Sequence, residues 1–184
     1  MSSLSKNQNI ALIFVLSAIM WLTRGHHMAS LSQLPDASWA IFFIVGFYCS
    51  SFAVITLFLA QAFLIDYLAF TQLGMAYPFL LPAYLSLWLA GRWLVKSASL
   101  DIASFKNFLL ASILGTIVCE LISSGSFYFI NAAGQSSWSE FASRIVQYLP
   151  YALEITLSYL LVALVAHLVI TSIASRVVAL NKIK

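Results

Sequence analysis

The sequence predicts an all-α fold: a polytopic bundle of about six membrane helices forming a single integral membrane domain over residues 1–184. Three observations carry that reading. Hydrophobic residues make up 62% of the 184-residue chain and charged residues only 8%. A soluble domain of this size is about 25% charged and has too little interior to hide so much apolar surface. The apolar residues fall into long runs separated by short polar stretches. Basic residues gather in three groups at the ends of those runs.

The first apolar run is Asn9 to Leu22; it shows no small-x-small cleavage site and reads as mature structure. The second extends from Ser38 to about Leu73 and is interrupted only by Gln61 and Asp66. One helix of that length would exceed about 50 Å, against a hydrocarbon core of roughly 30 Å. A hairpin near Cys49-Ser50-Ser51 divides it into two spans. Tyr77 to Val95 and Phe105 to Ile130 follow, and the last run is Leu149 to Val178. Lys6, the Arg92-Lys96-Lys106 group and the Arg176-Lys182-Lys184 group then all lie on one side. The positive-inside bias makes that side cytoplasmic, together with both termini. The net charge of +3 reflects this loop bias, and the composition excludes a nucleic-acid partner. Cys49 and Cys119 lie inside apolar runs and read as small buried hydrophobes.

Three segments face outward: Thr23 to Ala37, about Phe70 to Pro78, and Asn131 to Tyr148. The third opens on Ser137-x-x-Glu140, a capping-box pattern. Trp138, Phe141, Ala142, Ile145 and Val146 follow at helical spacing, which predicts a short amphipathic helix on the membrane surface, separate from the last span.

Ionisable groups at membrane depth are costly and require an explanation. Asp66, Glu120 and Glu154 fall in the outer halves of their spans and could converge on one cavity. Glu120, Ser124 and Tyr128 repeat at i, i+4, i+8 and share a helix face. Such a stripe suits a hydrated pocket or a hydrogen-bonded helix seam. Ala111-x-x-x-Gly115 permits close helix packing. His167 is a lone histidine of the last span and reads as a packed residue. The first outward segment holds Arg24, His26, His27 and Asp36. Arg24 and the imidazoles could contact a ligand, while His26, His27 and Asp36 could take a divalent metal in an irregular loop. Asp36 also reads as a helix cap. The sequence carries no Gly-x-Ser-x-Gly elbow, zinc-protease motif, phosphate loop or dinucleotide fingerprint, so neither an enzyme nor a resident cofactor is expected.

The size, the six apolar spans, both ends inside and a ligand-like outer face resemble the substrate-binding (S) components of energy-coupling-factor vitamin transporters. Leu22-Thr-Arg-Gly-His-His-Met-Ala-Ser, Leu34-Pro-Asp-Ala-Ser-Trp-Ala-Ile-Phe-Phe and Tyr77-Pro-Phe-Leu-Leu-Pro-Ala-Tyr-Leu-Ser-Leu-Trp-Leu-Ala-Gly-Arg-Trp resemble small bacterial membrane proteins associated with cobalamin or cobalt uptake. The resemblance implies a place in the bacterial cytoplasmic membrane. It also implies capture of a vitamin-like solute under the three outward loops, and toppling of the domain to deliver it. A separate transmembrane subunit with paired ATPases would supply the energy. The first span departs from the family's Ala-x-x-x-Ala docking motif, reading Ala11-Leu-Ile-Phe-Val15. The expected pocket comprises Arg24, His26, His27, Trp39, Tyr77, Glu120, Ser124, Tyr128, Trp138 and Glu154. A cobalt or nickel permease and a non-catalytic scaffold subunit are the alternatives.

Overall fold

The computed structural model describes residues 5–24, 34–70, 72–97, 102–132, 134 and 136–181. Six α-helices and no strands occur among these residues: α1 (Lys6–Arg24), α2 (Ser38–Tyr48), α3 (Phe52–Ala69), α4 (Leu80–Ser97), α5 (Ile102–Asn131) and α6 (Trp138–Asn181). Three of the helices contain stretches long and apolar enough to cross a membrane: Phe52–Ala69, Phe105–Asn131 and Trp138–Ile173.

The long second run does break at Cys49–Ser51. Ser51 is extended at φ −77°, ψ 128°, and the Cys49 N–H returns to the Val45 carbonyl to close α2. α2 has 11 residues, about 16 Å, so it covers only half of a bilayer core. It is apolar all round, as a helix enclosed by other helices must be. Every residue from Ala40 to Gly46 is buried. α1 covers it with the stripe Leu16, Met20, Thr23 and Arg24. α3 turns Ile55, Phe58, Ala62, Ile65 and Asp66 inward.

The α2–α4 contact is made by backbones. A Cβ on Gly91 would stand 2.2 Å from the Phe43 carbonyl oxygen, and one on Gly46 would stand 2.1 Å from that of Trp88. Glycine at both positions lets the helices touch, which is how helices gain packing energy without a solvent-driven hydrophobic force. Next to this crossing, Phe42 stacks on Tyr84 at 4.4 Å. α5 lies on the other side of α4, with Gly115 facing Ala90 and Leu87.

α6 corrects an expectation. The surface helix and the last span are one helix of 44 residues with Pro150 inside it. Proline removes one backbone donor but its φ is compatible with a helix. The loss of a single hydrogen bond therefore does not end the helix. The capping box is also differently built. Ser137 opens the helix, its carbonyl accepting the Phe141 N–H at 3.0 Å. The Ser137 N–H, however, donates to Tyr128 Oη at 2.9 Å, and Glu140 turns to Tyr128 and Arg144 instead.

Candidate functional site

The end of the bundle that joins α1 to α2, α3 to α4 and α5 to α6 holds the Arg24, Asp36, Asp66, Glu120 and Glu140 side chains and most of their hydrogen-bond partners. Its centre is Arg24, the last residue of α1. Its Nε and Nη2 donate to the two oxygens of Asp66 at 2.7 and 2.6 Å. Nη1 donates to Ser38 Oγ at 2.9 Å and to Asp36 Oδ2 at 3.3 Å. Tyr77 Oη donates to Asp66 Oδ2 at 2.8 Å. Asp36 Oδ1 accepts the Ser38 N–H at 2.8 Å, so it serves the start of α2 from one position before the cap residue, Ala37. The guanidinium also sits 5.4 Å from the Tyr84 ring centre. A two-pronged Arg–carboxylate pair with its remaining donors satisfied ties α1, α2 and α3 together. Arg24 is thus bound up in this network and borders neither of the hollows described next.

The first hollow, about 620 Å³, lies among α2, α5 and α6. Trp39 and Asp36 border it on one side and Glu120 and Ser124 on another. α6 contributes Tyr148, Tyr151, Ala152, Ile155 and Thr156. Glu120 is 5% exposed. One of its oxygens accepts a hydrogen bond from Ser124 Oγ at 2.5 Å, and the other carries none among the described residues. The second hollow, about 440 Å³, holds Tyr77, Tyr128, Phe141 and Arg144. Ser124 and Tyr148 border both hollows and form the partition between them.

The expected pocket residues therefore separate. Trp39, Glu120 and Ser124 meet in the first hollow; Tyr77, Ser124 and Tyr128 meet in the second. Trp138 is 76% exposed and packs on Phe129 at 4.8 Å, bordering neither hollow. Glu154 is exposed and points away from both. His26 and His27 lie outside the described residues. Asp36 faces the first hollow, but its carboxylate serves Arg24 and Ser38, and no three acidic, His or Cys side chains gather at metal-binding range among the described residues. His167 lies toward the opposite end, where its Nδ1 meets Tyr48 Oη at 2.6 Å beside a small apolar cavity of about 70 Å³.

Sequence reasoning missed Tyr148, Tyr151 and Thr156. Their signal is phase: 148, 151, 152, 155 and 156 form an i, i+3, i+4, i+7, i+8 stripe, and Glu154 lies off it. Chemically, the site offers one half-engaged buried carboxylate, several hydroxyls and broad aromatic walls. Such a surface orients a ligand and encloses its apolar body. No protein-family model matches this chain, and no curated protein matches it.

Proposed function

We propose that the chain is the solute-binding subunit of a membrane uptake transporter and not an enzyme. In this reading the six helices cross the bacterial cytoplasmic membrane with both termini inside and the polar end outside. The solute is vitamin-like, with cobalamin or a precursor favoured. The observation that carries the proposal is the Glu120 carboxylate, buried beside a hollow of about 620 Å³ with one oxygen unengaged among the described residues. A buried ionisable group in a membrane protein is retained for function unless its surroundings satisfy it.

Three further features support the reading. The two hollows share a wall, so together they suit a solute larger than either alone. The basic groups Arg92 and Lys106 belong to the opposite end, as the positive-inside bias requires. The sequence resembles S components of energy-coupling-factor transporters, which also suggests a separate transmembrane subunit with ATPases as partner. The absence of the Ala-x-x-x-Ala docking pattern makes an unusual partner, or none, part of the same proposal.

Purified protein titrated with cobinamide or cobalamin tests this directly. Binding raises the unfolding temperature with ligand concentration, by about 2.7 kcal/mol of stabilisation at a hundredfold excess over Kd. Trp39→Ala should weaken binding at least tenfold while leaving the unliganded protein folded. Stabilisation by Co²⁺ that His26→Ala/His27→Ala removes would favour a metal permease. No response to either, with a copurifying protein, would favour a scaffold.

A further inference from the structure

We infer that the solute presents a hydrogen-bond donor, a primary amide or an ammonium group, to the Glu120 end of the site, and that the site rejects anions. This deepens the solute-capture reading and rests on it. The argument concerns sign and capacity. Two carboxylates border the first hollow, Asp36 and Glu120, and among the described residues no Lys, Arg or His does. Asp36 is fully engaged, since Arg24 and Ser38 occupy its oxygens. Glu120 is not. Its single hydrogen bond comes from Ser124, four residues and one turn further along α5, and its second oxygen is free to accept among the described residues.

A carboxylate accepts and does not donate when ionised, and donates at most once when protonated. Either way its unengaged oxygen is best matched by N–H groups. A solute carboxylate placed there would set like charges side by side against a buried carboxylate, which disfavours it. An amide offers two donors without charge, and an ammonium adds Coulomb attraction. The surroundings suit both. Trp39, Tyr148 and Tyr151 give aromatic faces that hold a cation or the edge of a planar amide. Arg144 stands only at the second hollow, and its guanidinium is paired with Glu140 at 2.9 Å. An anionic end would therefore find no unpaired cation among the described residues of either hollow.

Ligand pairs that exchange amide or amine for carboxylic acid decide this, the small trio supplying the closely matched comparison. Purified wild-type protein is titrated with cobinamide and with cobyrinic acid, whose peripheral amides are replaced by carboxylic acids. A small trio is run in parallel: nicotinamide, 3-(aminomethyl)pyridine and nicotinic acid. The amide or amine member should bind at least tenfold more tightly than its acid partner, and Glu120→Gln should shrink that preference to within about twofold. Preference for the amine alone assigns an ammonium; preference for both assigns a shared donor. Equal or tighter binding of the acids overturns the inference and leaves solute capture standing. A wild-type preference unchanged in Glu120→Gln also overturns it, by removing Glu120 as its source. If no compound binds, solute capture falls and this inference with it. Should Glu120→Gln fail to fold, the wild-type ranking alone decides.

Discussion

Arg24 and Asp66 form the chain's most demanding contact, because each is buried and each needs the other. The two side chains are 8% and 9% exposed, and two parallel N–H···O bonds join them. Removing Arg24 leaves Asp66 with no counterion in a low-dielectric setting, and removing Asp66 leaves Arg24 only its longer contact to Asp36 at 3.3 Å. Asp66→Asn or Arg24→Gln should therefore lower stability by about 3–5 kcal/mol, read as loss of the folded fraction in denaturant titrations in detergent. Replacing both with leucine should cost less than the two single changes together. Tyr77→Phe deletes one charge-assisted hydrogen bond and should cost about 1.5–3 kcal/mol. The sequence displays the partners but not the partnership. Arg24 looks like a ligand contact because it adjoins two histidines and a proline-led turn. Only three-dimensional proximity to Asp66, 42 positions away, assigns it to structure. Glu154 fails for the opposite reason. Its charge draws notice in an apolar span, whereas orientation is set by phase, and Thr156 holds the inward position.

Among the helices, α2 and α4 form the tightest pair, and glycine makes that possible. Gly91→Ala places a methyl carbon 2.2 Å from the Phe43 carbonyl, and neither backbone can yield without separating the helices. The expected loss is at least 1–3 kcal/mol, the usual range for overpacking. Gly74→Ala, with nothing within 4 Å of the added carbon, should leave the unfolding midpoint unchanged. Circular dichroism melts of both variants in the same detergent provide the comparison. The division of α2 from α3 at Cys49–Ser51 is legible from length alone, since no single helix of the whole run fits a bilayer. The continuity of α6 is not legible. Pro150 and a capping pattern at Ser137 both argue locally for a break. A helix tolerates one missing amide, and the Tyr128 phenol takes over the Ser137 N–H that the Glu140 side chain was expected to accept.

For the whole molecule, the acidic side chains of the described helices and their hydrogen-bond partners concentrate at one end, and the basic Arg92 and Lys106 lie at the other. Alternating helix direction explains much of this, because residues late in α1, α3 and α5 share a level with residues early in α2, α4 and α6. That convergence can be anticipated once the runs are counted, and it brings Trp39, Tyr77, Glu120, Ser124 and Tyr128 to one end. The division into two hollows cannot be anticipated, because it depends on Tyr148 standing between them.

The 42-residue interval between Arg24 and Asp66 bears on biogenesis. When α1 leaves the ribosome its terminal guanidinium can meet Asp36 before α2 is made, but it gains its two-pronged partner Asp66 only after α3 has been synthesised. α2, at 11 residues, is too short to integrate by itself and should enter jointly with α3 as a helical hairpin. Nascent chains arrested at residue 60 should leave a cysteine introduced at Thr23, beside the retained Arg24, accessible to a water-soluble thiol reagent, whereas arrest at residue 110 should protect it. Protection already at residue 60 would mean that lipid or translocon accommodates the cation without Asp66.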